Sequence, residues 1–117
     1  MKGKGTNKVI YSVTCTIGPG LTASELWLNF MVETHIPEVV SKGYLKGPVR
    51  IVLQTHDKVD EYKYKVIYTA DSEDAVNEYR EKHGPELSNK YTEAVGDLTR
   101  NISREILPYI EVTVTEE

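Results

Sequence analysis

A single cysteine, Cys15, is the chain's whole supply of thiol. That excludes an internal disulfide framework, and with no Cys-x-x-Cys pair it leaves no cysteine-based zinc site. No stretch approaches the roughly 18 consecutive apolar residues that a membrane-spanning helix needs. No apolar signal-type segment follows the basic, glycine-rich opening Met1-Lys2-Gly3-Lys4-Gly5-Thr6-Asn7. Lysine and arginine are nowhere clustered, and the net charge is −4. An acidic chain without a basic stripe has little to offer a phosphate backbone, so no nucleic-acid partner is expected. A phosphate-cradling loop is missing too, since Gly18-Pro19-Gly20 has neither the spacing nor the lysine. Asn101-Ile102-Ser103 fits a glycosylation acceptor, a pattern of little meaning without secretion. The expectation is a cytoplasmic protein with a flexible N-terminal arm over residues 1–8 and one domain over residues 9–115.

What is present is ordinary for one globular domain. The chain has 117 residues, with 39% hydrophobic and 27% charged side chains, enough to bury a core without a covalent staple. Charge divides unevenly, +3 over residues 1–58 and −7 over residues 59–117, which reads as a solvated acidic surface.

Alternation marks the strands. In Val9 to Ile17, the side chains of Val9, Tyr11, Val13, Cys15 and Ile17 share one face, and Ile10, Ser12, Thr14 and Thr16 the other. A second strand is expected over Pro48 to Thr55, and a third over Tyr62 to Ala70 after a polar connection containing His56. The last runs from Arg104 to Thr115, where Pro108 demands an edge position or a bulge. Two helices separate them. In the first, Thr22 and Glu25 have capping-box spacing, and Leu26, Trp27, Phe30 and Met31 form an apolar stripe. Pro37 predicts a kink or restart, and Gly43 a stop. The second is capped by Asp71 or Ser72, turns Ala75, Val76 and Tyr79 inward, breaks at Gly84-Pro85, continues through Leu87, Tyr91 and Val95, and ends at Gly96.

The order β-α-β-β-α-β carries an internal echo. Val9-Ile10-Tyr11-Ser12 matches Val66-Ile67-Tyr68-Thr69, and His35-Ile36-Pro37-Glu38-Val39 matches His83-Gly84-Pro85-Glu86-Leu87. The fold expected is α+β and ferredoxin-like: a four-stranded antiparallel sheet with two kinked helices on one face. The other face, carrying Ile10, Ser12, Thr14, Thr16, Arg50, Val52, Gln54, Lys63, Lys65, Ile67 and Thr69, is left for water, a second copy of the chain, or a ligand. A homodimer through that face is the expected assembly.

The run Trp27-Leu28-Asn29-Phe30-Met31 followed by His35-Ile36-Pro37-Glu38-Val39, the strand Ile10-Tyr11-Ser12-Val13-Thr14, the step Tyr68-Thr69-Ala70-Asp71-Ser72 and the pair Gly96-Asp97 resemble the bacterial domain-of-unknown-function family 4286. The polar stretch Leu98 to Ser103 departs from that family's pattern. The resemblance implies a ferredoxin-like fold and no particular reaction. It is similar in outline to the dimeric α/β-barrel superfamily, which includes monooxygenases and cyclases.

Three functional readings follow. The first is a homodimeric, non-catalytic module. The second is a binder or enzyme of dimeric α/β-barrel type, with a small-molecule site between sheet and helices lined by His35, Tyr11, Tyr64 and Tyr68. The third is a metal site built from His35, Glu38, His83 and Glu86, since imidazole and carboxylate suit a divalent cation. Against the third, His-x-Pro-Glu also reads as helix punctuation: proline in a first turn and glutamate where the helix dipole favours it. Cys15 is expected to be buried and inert. No cofactor is expected.

Overall fold

The computed structural model describes the backbone of residues 2–54 and 60–115, and the side chains of those ranges from Lys8 onward. His56 and most of the expected β-connection lie outside the described residues. Four strands, β1 (Lys2–Ile17), β2 (Lys46–Gln54), β3 (Tyr62–Ala70) and β4 (Thr99–Thr115), form one sheet in the order β2-β3-β1-β4. Every neighbouring pair is antiparallel. Both helical layers lie on one face, so the architecture is ferredoxin-like α+β.

Strand register follows the alternation. Tyr11 pairs with Tyr68, Val13 with Val66 and Cys15 with Tyr64, so the apolar faces of β1 and β3 coincide and bury together. On β4 the same face carries Ile102, Arg104 and Ile106, opposite Cys15, Val13 and Tyr11. β4 begins at Thr99 rather than Arg104, because the whole stretch pairs with β1. Pro108 sits on this edge strand, where its missing N–H breaks no ladder bond to a further neighbour. β1 starts at Lys2 and pairs with the far end of β4, so residues expected as an arm prolong a two-stranded ribbon. The ribbon stretches the molecule to 52 × 33 × 21 Å.

The first helical run comprises α1 (Gly20–Phe30), a π turn (Met31–His35) and α2 (Ile36–Ser41). Its start corrects the capping-box expectation. The helix begins at Gly20, whose N–H donates 2.7 Å to the Asp60 carbonyl, so Thr22 lies inside the first turn and no side chain caps the end. The buried stripe is Ala23, Ser24, Trp27 and Met31; Leu26, expected inward, is 55% exposed. Pro37 has no N–H and its ring crowds the carbonyl one turn back. The chain absorbs this by widening one turn, with the Ile36 N–H reaching the Met31 carbonyl, and Pro37 then occupies the first turn of α2. Gly43 closes the run at φ +88°, the left-handed conformation that glycine adopts freely.

The second run comprises α3 (Glu73–Lys82) and α4 (Gly84–Val95), broken at His83. Ser72 caps α3, its hydroxyl accepting from the Ala75 N–H at 3.1 Å. Val76, Tyr79, Leu87, Tyr91 and Val95 face the sheet. Trp27 anchors the core: it is fully buried, its ring stacks on Tyr64 at 4.9 Å, and its indole N–H donates to the Tyr91 hydroxyl at 2.9 Å. Tyr91 in turn bonds Thr99 Oγ1 at 2.7 Å, and the Thr99 hydroxyl donates to the Val95 carbonyl at 2.9 Å. This chain of bonds ties both helical runs to the start of β4.

Candidate functional site

Both helical runs break over the middle of the sheet, and a cavity of about 380 Å³ opens beneath the breaks. Its floor is Tyr11, Val13 and Cys15 of β1, Val66 and Tyr68 of β3, and Ile102 and Arg104 of β4. Its roof is Met31 and His35 of the π turn, Val39 of α2, and residues of α3 and α4 including Tyr79, Leu87 and Tyr91. The interior liners are buried or, at Val13, His35, Gly84 and Ile102, half-buried, while Arg80, Pro85, Ser88, Thr92 and Arg104 are exposed and so mark the mouth. Glycine and proline at the α3–α4 break leave little side-chain bulk to close it.

The polar groups inside are held neutral. Burial depresses the His35 pKa, and the nearby Glu38 opposes this only in part, so the imidazole is uncharged at neutral pH. Burial raises the phenols of Tyr68, Tyr79 and Tyr91 above the usual tyrosine range. Burial also pushes the Cys15 thiol up to about 11, with a bond to Tyr91 and the charge of Arg104 acting the other way. A thiol so placed is protonated and inert at neutral pH. His35 lies edge-on to Tyr91 at 5.5 Å and tilted against Phe30 at 5.8 Å, which fixes its ring at the cavity wall.

Of the residues singled out from sequence as ligand contacts, His35, Tyr11 and Tyr68 line this cavity. Tyr64 does not. It points the same way but lies nearer the Gly18 end of the sheet, where its hydroxyl bonds Ser24 Oγ at 2.6 Å under Trp27. The four residues of the metal reading do not converge. Glu38 and Glu86 both bind the Lys90 ammonium, at 2.8 and 3.4 Å, and the Lys90 hydrogen bond holds Glu38 below the usual carboxylate range. His35 faces the cavity, whereas His83 packs against Tyr44 at 5.7 Å and Tyr79 at 6.3 Å. Among the described residues, no group of three or more His, Cys, Asp or Glu is placed to hold a metal ion. Sequence reasoning missed Tyr79, Arg80 and Arg104. The signal for Arg104 was its place between Ile102 and Ile106 in the inward register of β4.

A family model described as "Domain of unknown function (DUF4286)" matches residues 8–107. The chain belongs to this family. Solved structures with the same fold include a dimeric ferredoxin-like protein from an uncultured marine organism, at 16% identity and TM-score 0.53, covering 94% of this chain and 90% of that one. A protein of the ethyl tert-butyl ether d (ethd) family from Bacillus halodurans aligns at 10% identity and TM-score 0.58, covering 84% and 95%. A protein provisionally described as an antibiotic biosynthesis monooxygenase from Bacillus cereus aligns at 12% identity and TM-score 0.56, covering 86% and 90%. At these identities the likeness is one of fold. No curated protein matches the chain. Among the described residues, no helix is long and apolar enough to cross a membrane.

Proposed function

We propose that this DUF4286 protein binds a small organic molecule, without covalent chemistry, in the cavity between its sheet and helices, and that it does so as a homodimer in the bacterial cytoplasm. The cavity carries the reading. Its volume of about 380 Å³ lies in the range of small-molecule sites, and a mainly apolar lining with a few convergent polar groups is their usual composition. Neutral phenols, a neutral imidazole and a protonated thiol are hydrogen-bonding groups rather than activated nucleophiles. The test is thermal stabilisation by 2-naphthamide, a neutral bicyclic probe that fits the space. Saturation of a specific site should raise stability by about 2.7 kcal/mol at a hundredfold excess over Kd. A Leu87→Trp variant, which fills the cavity, should lose the response. Equal stabilisation of both proteins would refute the site.

The open sheet face supports the dimer. Val52 and Leu107 are exposed there, and the Ser12 hydroxyl is buried without a partner among the described residues. The face is polarised: Arg50, Lys63 and Lys65 lie on β2 and β3, and Glu105 on β4. A two-fold axis along the strands sets the acidic edge of one copy over the basic half of the other. A structural neighbour described as dimeric fits this assembly. Size-exclusion chromatography with light scattering should give twice the chain mass, and Glu105→Lys should shift it toward monomer.

A second reading, an enzyme acting on the bound molecule, has one observation in its favour. The neutral His35 imidazole at the cavity wall is able to accept a proton from an acidic ligand O–H or C–H.

A further inference from the structure

The cavity wall is neutral, but its mouth is not. Arg80 of α3 and Arg104 of β4 both line it. Other cations near the helix ends hold carboxylates: Lys90 holds Glu38 and Glu86, Lys46 holds Asp71, and Arg100 holds Glu61. Arg80 and Arg104, like Arg50, Lys63 and Lys65 on the open sheet face, have no carboxylate partner among the described residues, and they are the two such cations that line the cavity. Near His35 and the α4 start, Lys90 binds both Glu38 and Glu86 and offsets one of their two negative charges, so the positive charge at the opening is that of the two arginines. Arg104 is also unusual in its strand. It stands in the inward register, opposite Val13 and between Ile102 and Ile106, where an apolar residue would bury more surface. Its charge reaches inward far enough to act on Cys15 and Tyr79.

A protein of net charge −4 thus concentrates two free guanidinium groups at the opening of an apolar, phenol-lined space. We infer that the ligand of this cavity is a small carboxylic acid, bound as its anion, with the carboxylate held by Arg80 and Arg104 at the mouth and a planar apolar body between Val66 and Leu87. Guanidinium forks match carboxylate geometry. The volume corresponds to about a dozen water molecules, hence to an organic acid of about that many heavy atoms. Tyr11, Tyr68, Tyr79 and His35 are placed to select hydrogen-bonding substituents on the body.

This inference rests on the binding reading above, and the experiment separates the two. The probes are 2-naphthoate and 2-naphthamide, which share shape and differ in charge. Isothermal titration near neutral pH should show the acid binding roughly tenfold or more tightly than the amide, because charge-assisted bonds are the stronger ones. In the double variant Arg80→Gln, Arg104→Gln the preference should vanish, because the acid loses its charge-assisted bonds whereas the amide gives up only weaker bonds to its neutral carbonyl. Both positions are exposed, so the fold should survive, and an unchanged melting temperature checks it. In the wild type, added salt should weaken the acid and leave the amide alone. Equal affinities in the wild type, or a preference that outlives both arginines, would overturn the carboxylate assignment and leave the binding site standing. Failure of both probes to bind would remove the binding site and the assignment together.

Discussion

Val39→Leu should stabilise this protein, although the same change in a filled core destabilises. Val39 is 1% exposed and lines the cavity from α2. One added methylene that enters empty apolar space contributes about 0.8 kcal/mol. Replacing a β-branched residue within a helix adds a few tenths more, for a gain of about 1 kcal/mol. Val76 is the control. It is fully buried on α3 and faces packed side chains rather than the cavity. There the extra methylene must displace neighbours, at a cost of about 1–3 kcal/mol. Helix propensity and side-chain entropy are common to both variants and cancel in the comparison. The two should therefore differ by about 2–4 kcal/mol with opposite signs. Urea unfolding at fixed protein concentration measures this, and thermal melts should separate the pair by roughly 4 °C for each kcal/mol. If Val39→Leu destabilises as much as Val76→Leu, the space beneath α2 is closed in solution and the cavity reasoning fails.

Tyr91→Phe should cost about 1–3 kcal/mol despite removing one atom, because the buried Trp27 N–H loses its acceptor; urea denaturation checks this, and a null effect would show that water reaches the indole. His35 has a folded pKa below its unfolded value of about 6.5, so below that pH the unfolded chain takes up a proton that the folded one resists. Its contribution is present above about pH 6.5 and is lost as the pH falls further, and His35→Gln should flatten the stability profile between about pH 7 and pH 5. Glu38 and its depressed pKa act in a lower window, near and below the unfolded carboxylate value of about 4.3, so the two effects separate by titrating stability against pH. Cys15 should resist a thiol reagent such as Ellman's at about pH 8 until the protein unfolds, since it is buried and its pKa stands at about 11; rapid labelling of the native protein would contradict its placement.

The topology was legible because each strand states its face by alternation and each break carries its own proline or glycine. Val9–Ile17 and Tyr62–Ala70 show this most plainly, since the two apolar faces read from sequence are the two that pair. Pro37 and Gly84-Pro85 announced interruptions, though not that the first would widen into a π turn and carry His35 to the cavity wall. Three things were out of reach. Alternation assigns a residue to a side of the sheet but not to a position along it, so Tyr64 and Tyr68 looked equivalent while only Tyr68 meets the cavity. Helix starts depend on tertiary bonds, so Thr22 and Glu25 kept capping-box spacing in a helix whose beginning is set by the Gly20–Asp60 contact. The long β1–β4 ribbon was hidden for a similar reason: Lys2 to Lys8 has no alternation of its own and is strand only because β4 continues beside it.

Methyl-resolved NMR during titration with 2-naphthoate tests the central claim most directly. The account predicts shifts confined to methyl groups lining the cavity, those of Val13, Met31, Val39, Val66, Leu87 and Ile102 among them, with Val52 and Leu107 on the open face unmoved. Shifts on the open face, or none anywhere at millimolar probe, would contradict it.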